Sequence, residues 1–196
     1  MHASDYTINL FLSAMLIVGG YQFYFWCQRN PLTAPRELAL RLDERIPYWP
    51  VWVWVYTGIY YPFMLLVNFL MDSPRQFTHL AVSYFLLLFA QMAFFLLFPV
   101  VTPAHWRSTN RRHTLSERVL TYLQRFDARS NSFPSMHVSV ATLTALHLQP
   151  HFGAPVFVFP VLVALSCLFT KQHCLVDLPP GAVLGWTVHQ AYLWMF

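Results

Sequence analysis

Charge is what this chain has least of. Of its 196 residues only 10% are Asp, Glu, Lys or Arg, against ~25% in a typical soluble domain. Apolar residues make up 57% and aromatic residues 18%. A water-soluble globular domain is excluded on those numbers, and so is a disordered chain or a basic nucleic-acid-binding protein, because neither tolerates so much apolar surface. Cysteine is scarce as well. Cys27, Cys167 and Cys174 are too few, and odd in number, for a disulfide framework or a four-thiolate metal site.

What the chain has instead is long uncharged runs. Six stretches, roughly 7–27, 51–71, 79–101, 133–149, 154–170 and 180–196, hold no Lys, Arg, Asp or Glu. A helix needs ~17–25 mostly apolar residues to cross a bilayer, which the first three meet comfortably and the last three only just. The first lacks a basic leader and a small-residue cleavage site, so it reads as a span and not as a signal peptide. Six tryptophans near the run ends (Trp26, Trp49, Trp52, Trp106, Trp186 and Trp194) suit the headgroup region. The fold class expected is therefore all-α, a polytopic six-transmembrane-helix bundle in a single integral membrane domain over 1–196. Short interfacial helices complete it.

An even span count puts loops 28–50, 102–132 and 171–179 on one side. They hold 4, 6 and 1 Lys or Arg, against Arg75 alone on the other side, a bias of 11 to 1. The positive-inside rule makes the charged side cytoplasmic. Thr114-Leu-Ser-Glu117 is a capping-box pattern, and Leu115, Val119, Leu120, Leu123 and Phe126 follow at helical spacing, which predicts an interfacial helix. Arg36 to Arg45, with Leu38, Leu42 and Ile46, is expected to do the same.

Two clusters on that side carry chemistry. The first runs Asp127-Ala-Arg-Ser-Asn131-Ser-Phe-Pro134-Ser135-Met136-His137 into the fourth apolar stretch. With Pro134 expected in the first helical turn, the free N–H groups of Ser135, Met136 and His137 form an anion site at a helix start. A hydroxyl and an imidazole lie in the same turn. The second cluster is Thr170-Lys171-Gln172-His173-Cys-Leu-Val-Asp177-Leu-Pro-Pro-Gly181. His173 and Asp177 are four apart, so the carboxylate can fix one imidazole nitrogen and leave the other as nucleophile or base. Taken singly, each His or Ser reads as an ordinary boundary residue. Two His-bearing helix starts, an Asp, a Lys and several Arg on one face together imply an anion-handling membrane enzyme.

These two strings resemble the type 2 phosphatidic acid phosphatase superfamily, whose second motif is Pro-Ser-x-His and whose third ends in His-x-x-x-Asp. The Phe126-Asp127-x-x-x-Asn131-Ser-Phe-Pro-Ser-x-His and Thr-Lys-Gln-His variants look most like the branch that contains inositol phosphorylceramide and sphingomyelin synthases. The motif-bearing part is about 99–181. By that resemblance His173 is the nucleophile that takes the phosphoryl group as a phosphohistidine, and Asp177 orients it. His137 is the acid that protonates the leaving oxygen and then the base for water or an alcohol. Ser135 and the Met136 N–H hold the non-bridging oxygens, and Lys171 adds positive charge.

The resemblance implies no metal and no cofactor. It implies as substrate a phosphorylated lipid such as phosphatidic acid, a polyprenyl diphosphate or a phospholipid, with membrane lipids around it and no nucleic acid. Three positions depart from the family pattern. Met136 stands for the usual Gly, and Cys167 for the Arg that opens the third motif. The first motif is replaced by Phe98-Pro-Val-Val-Thr-Pro-Ala-His105-Trp-Arg107, which makes Arg107 the expected phosphate ligand and His105 a weaker one. Integral members of the family place this site on the non-cytoplasmic face, whereas removing Lys171 and Arg107 from the count still leaves 9 against 1.

Three readings follow from the sequence. The first is a lipid phosphatase acting through phosphohistidine. The second is a phosphotransferase that moves a phospho-headgroup to an alcohol or ceramide, and the third is a non-catalytic lipid-binding subunit. A metal enzyme built on the nine histidines fails on placement. Pro150 is expected to break the helical register between His147 and His151, which leaves both as interfacial residues. His189, in the sixth stretch, is expected to face the bundle interior as a hydrogen bonder.

Overall fold

The computed structural model describes residues 2–107 and 114–196; Arg111 and Arg112, part of the charge count, lie outside the described residues. Three helices are long and apolar enough to cross a membrane: Ala3–Arg29, Pro50–Leu70 and Pro74–Leu97. The first is α1, with Asp5 in its opening turn and Arg29 in its last, each placed where the helix dipole favours it. The third is α4 (Pro74–Leu97). Its N-cap Ser73 accepts from the Gln76 N–H at 3.3 Å and Pro74 fills the first turn, so the helix starts five residues before the uncharged run and takes Arg75 into it.

The second of these helices changes pitch along its length. A 3-10 turn at Pro50–Trp52 leads into a π-helical stretch at Trp54–Ile59, then α3 (Tyr60–Leu66) and a closing 3-10 turn at Val67–Leu70. π-Helical turns are uncommon and concentrate at functional sites. The remaining apolar stretches form shorter helices: α6 (Met136–Phe152), Ala154–Phe169 with α7 (Val158–Phe169) as its α-helical part, and α8 (Leu178–Met195).

α6 is the centre of the bundle, contributing the fully buried Ala141, Leu143, Ala145 and Leu148. It lies hard against α8, because Gly181 and Gly185 carry no side chain to hold the two backbones apart. A Cβ on Gly181 would fall 2.6 Å from the Ser135 carbonyl oxygen, and one on Gly185 would collide with the Ser139 carbonyl. This Gly-x-x-x-Gly contact is the kind that packs helices in membranes. Val163 and Cys167 of α7 and Leu87 of α4 close the core around it.

The charged loops gather at one end. β1 (Arg36–Glu37) pairs in parallel with β2 (Val100–Val101), Arg36 opposite Val100 and Glu37 opposite Val101. The expected Arg36–Arg45 interfacial helix is thus cut to α2 (Arg41–Arg45), since Arg36 and Glu37 gain sheet partners from a distant segment. α5 (Leu115–Phe126) forms as the capping box predicts, with the Glu117 N–H on Thr114 Oγ1 at 3.2 Å and the Thr114 N–H on the Glu117 carboxylate at 3.0 Å. It buries Leu120 and exposes Leu115, Tyr122 and Phe126, as an interfacial helix would.

Two further expectations are corrected. Pro134 lies outside α6, after a cis Phe133–Pro134 bond, and Ser135 is the N-cap. Pro150 does not break α6, which runs on to Phe152. Only one backbone hydrogen bond is forfeited that close to the end, and Gly153 at φ 67° stops the helix. His147 therefore stays within the helix, packed against its neighbours. Its Nε2 lies 2.9 Å from Ser83 Oγ and its ring meets His189 at 5.2 Å and Tyr192 at 4.7 Å. His189 does turn inward, but its buried Nδ1 has no partner among the described residues.

Candidate active site

α7 ends in a Schellman motif, and that motif aims His173. The Lys171 N–H donates to Leu168 O and the Gln172 N–H to Cys167 O, both at 3.0 Å, the paired bonds that define this helix stop. Lys171 takes the left-handed position that usually falls to glycine, with φ 57°. Its side chain anchors the turn: Nζ donates to the Asp43 carbonyl at 2.5 Å and sits 4.7 Å above the Trp106 ring. Burial pushes the Lys171 ammonium down from its ordinary value, against the pull of the Glu44 and Asp43 charges. Asp43 ties the same region to α2, accepting from the Leu175 N–H at 2.8 Å and the Leu40 N–H at 2.7 Å.

His173 is held on one nitrogen and free on the other. Its Nδ1 lies 2.9 Å from the Ser132 carbonyl oxygen and 3.4 Å from Asp177 Oδ2. A carbonyl only accepts, so Nδ1 carries the proton and Nε2 presents its lone pair. No hydrogen bond to Nε2 is made among the described residues. Asp177 Oδ2 also takes the Cys174 N–H at 2.8 Å, whereas its buried Oδ1 has no partner among the described residues. Burial, with Asp177 and Asp43 nearby, pushes the Cys174 thiol well up, so it stays protonated and offers no competing nucleophile.

His137 is held differently, by aromatic faces. Its ring stacks on Tyr56 at 4.0 Å and 24° and leans on Tyr60 at 4.9 Å, both from the segment that changes pitch. The His173 ring stands edge-on at 6.1 Å. Ser135 joins the two motifs: its N–H donates to the Asp177 carbonyl at 2.9 Å and its Oγ caps α6 by accepting from the Val138 N–H at 3.4 Å. The Met136 and His137 N–H groups at the helix start have no acceptor among the described residues.

A cavity of about 370 Å³ opens in front of this pair, lined at its polar end by Asp127, Arg129, Asn131, Met136, His137, Gln172 and His173. Of the residues expected from sequence, His173, His137 and Met136 face it and Asp177 stands directly behind His173. Ser135 is fully buried in the helix cap against Cys167. Lys171 is spent on Asp43 and Trp106. Arg107 is engaged as well, with Nη1 on the Asp127 carbonyl and Nη2 on the Asp127 carboxylate, each at 2.5 Å, while Nη2 also lies 3.4 Å from Gln172 Oε1. His105 instead meets Glu44 at 3.1 Å, well exposed.

Several residues at the site carried no readable signal. Tyr56 and Tyr60 lie in an apolar run where aromatics are ordinary; only their i,i+4 spacing marked a shared face. Arg129 and Asn131 sit at φ 66° and 62°, a strain that clusters at functional loops. Gln91 of α4 reaches Pro134 O and Ser139 Oγ, and so fixes the entry to α6. Among the described residues no three His, Cys, Asp or Glu side chains converge as a metal site.

The described helices, three of them long and apolar enough to cross a membrane, bring two histidines and a buried carboxylate to one end of an apolar cavity, which fits the class of helical membrane proteins with an ionisable site. The sequence model of the PAP2 superfamily matches residues 33–191, and the chain belongs to that superfamily. Membership supports a phosphatase-type enzyme with lipid-like phosphate substrates. Comparison with curated proteins and with solved structures finds no match.

Proposed function

We propose that this protein is a membrane lipid phosphatase that cleaves a phosphoester or diphosphate through a phosphohistidine on His173. The observation that carries the reading is the one-sided tether of His173, with Nδ1 on Ser132 O and Asp177 and the ring lining the cavity beside His137. Nε2 attacks phosphorus in line, and the bond from phosphorus to the lipid oxygen breaks. His137 gives that oxygen a proton. Water then attacks the phosphohistidine while His137 takes its proton, which releases phosphate and restores His173. The Met136 and His137 N–H groups are the donors placed for the non-bridging oxygens. In this reading α6, Ala154–Phe169 and α8 complete six crossings within one domain, and the arginine bias puts the site on the cytoplasmic face.

A second reading, transfer to an alcohol or ceramide in place of water, is favoured by one feature: His173 is only 6% exposed and opens onto an apolar cavity, which restricts water at the phosphohistidine. Mass spectrometry of the products separates the two. Purified protein is given phosphatidic acid, a polyprenyl diphosphate, or a phospholipid with ceramide, each with and without an alcohol. Free phosphate supports the phosphatase, and a phosphorylated acceptor supports the transferase. Unchanged turnover by His173→Ala would remove His173 as the nucleophile, and no turnover by wild type on any of these substrates would leave a lipid-binding role.

A further inference from the structure

The cavity does not stop at the histidines. It continues down one face of α1, where Ser13, Leu16, Ile17, Gly20, Tyr21 and Tyr24 recur at helical spacing, with α3 and α4 as the other walls. From Tyr24, level with the loop that holds Asn131, to Ser13 is eleven residues, or ~17 Å of helix at 1.5 Å per residue. The cavity of about 370 Å³ runs along that depth, which matches an extended alkyl chain of about a dozen carbons.

The slot has a floor. Ser13 Oγ donates to Asn68 Oδ1 at 2.9 Å and the Asn68 amide donates to Leu65 O at 3.0 Å. Partway along, the hydroxyls of Tyr21 and Tyr61 bond to each other. A longer chain would have to break the partly buried Ser13–Asn68 pair.

Gly20 is the narrowest wall residue. It is buried, it lines the slot, and a Cβ built on it meets nothing within 4 Å. The space it leaves is the space a chain would fill. A chain arriving from the bilayer gains little from burial, since lipid tails are already apolar. Selection in such a slot works through shape and length.

We propose that the slot is a binding site for a hydrocarbon chain of the phosphorylated lipid, with Gly20 as its window and the Ser13–Asn68 pair as the stop that sets chain length. The proposal rests on the phosphatase reading for the position of the phosphate. Its substrate class is a lipid phosphate whose inserted chain is linear and about as long as a dodecyl group.

The test uses the full-length protein in nanodiscs with butyl, dodecyl and hexadecyl phosphate, read both as phosphate release and as thermal stabilisation by the ligand. Wild type should favour dodecyl over butyl phosphate and gain nothing further with hexadecyl. Gly20→Leu should keep butyl phosphate turnover and lose dodecyl phosphate turnover and stabilisation by on the order of tenfold or more, because the leucine overfills the slot. Gly19→Leu is the matched control, since Gly19 also meets nothing within 4 Å but does not line the cavity; it should behave as wild type. Wild-type dodecyl phosphate turnover and stabilisation in Gly20→Leu would overturn the slot. Stabilisation by dodecyl phosphate that Gly20→Leu abolishes, without phosphate release from any protein, would support the slot and count against the phosphatase reading alone.

Discussion

The Ser135 N–H donates to the Asp177 carbonyl oxygen at 2.9 Å, so the turn that starts α6 and the turn that starts α8 share a hydrogen bond. His137 lies two residues after the donor and His173 four before the acceptor. Their spacing follows from that bond and from the glycine contact beside it. Gly181→Ala should therefore force the two helix starts apart, costing about 1–3 kcal/mol as overpacking in a tight core and lowering kcat more than it raises KM. Thermal denaturation in detergent and steady-state kinetics check it. Wild-type values in both would mean that the contact sets nothing.

Tyr56 should act on catalysis through His137. Stacking on an aromatic face orients the His137 imidazole without tying up either of its nitrogens, a contact worth about 0.5–1.5 kcal/mol beyond its buried area. Tyr56→Phe keeps the face and should keep kcat. Tyr56→Leu should lower kcat roughly tenfold for a lipid alkoxide leaving group, within the ~10²–10⁴ that general acid catalysis supplies. It should cost far less for nitrophenyl phosphate, whose leaving group needs no proton. Equal losses on both substrates would reduce Tyr56 to a packing residue.

Lys171 offers a choice between two roles that kinetics can separate. As a phosphate ligand its loss would raise KM for every substrate and weaken vanadate inhibition. As the anchor of the Schellman turn, joined to Asp43 and Trp106, its loss should act on stability and on the placement of His173. Lys171→Gly relieves the left-handed backbone, worth about 1 kcal/mol, and deletes the anchor. The expectation is a vanadate inhibition constant within about threefold of wild type, since no charged contact to phosphate is removed. A tenfold rise would restore Lys171 as a ligand.

Hydropathy and two motifs in the sequence anticipated the three long apolar helices, the capping box at Thr114 and the pairing of His173 with Asp177. They did so because each is set by residues within one turn or one run. What could not be read depends on distant partners. Arg36 and Glu37 look helical until Val100 and Val101 offer a parallel ladder. Lys171 and Arg107 look like free cations until Asp43 and Asp127 take them. The pitch change at Trp54–Ile59 leaves the apolar pattern untouched, so nothing in the run announced that Tyr56 and Tyr60 would flank His137.

Asp127 is the hub of the loop at the cavity mouth. Its carboxylate accepts from Arg107, from the Gln28 amide at 2.6 Å and from the Arg129 N–H at 3.2 Å. Asp127→Ala leaves the largely buried Arg107 guanidinium unpaired and should destabilise the protein by about 1–3 kcal/mol, the partial exposure keeping it below the cost of a fully buried pair. Arg107→Lys should recover only part of the wild-type stability, because an ammonium cannot reach the Asp127 carbonyl and carboxylate together as the guanidinium fork does. Chemical or thermal unfolding of the three proteins in one detergent decides it; an Asp127→Ala protein as stable as wild type would show that the hub is ornamental to the fold.

The most direct test of the whole account is to trap the covalent intermediate. Purified protein turning over a lipid phosphate is quenched in alkali, digested and mapped by mass spectrometry. The account predicts one acid-labile phosphoryl group on the peptide carrying His173, absent from His173→Ala and accumulating in His137→Ala when the leaving group needs no proton. A phosphoryl group on any other residue, or full turnover by His173→Ala with no phosphoenzyme, would contradict it.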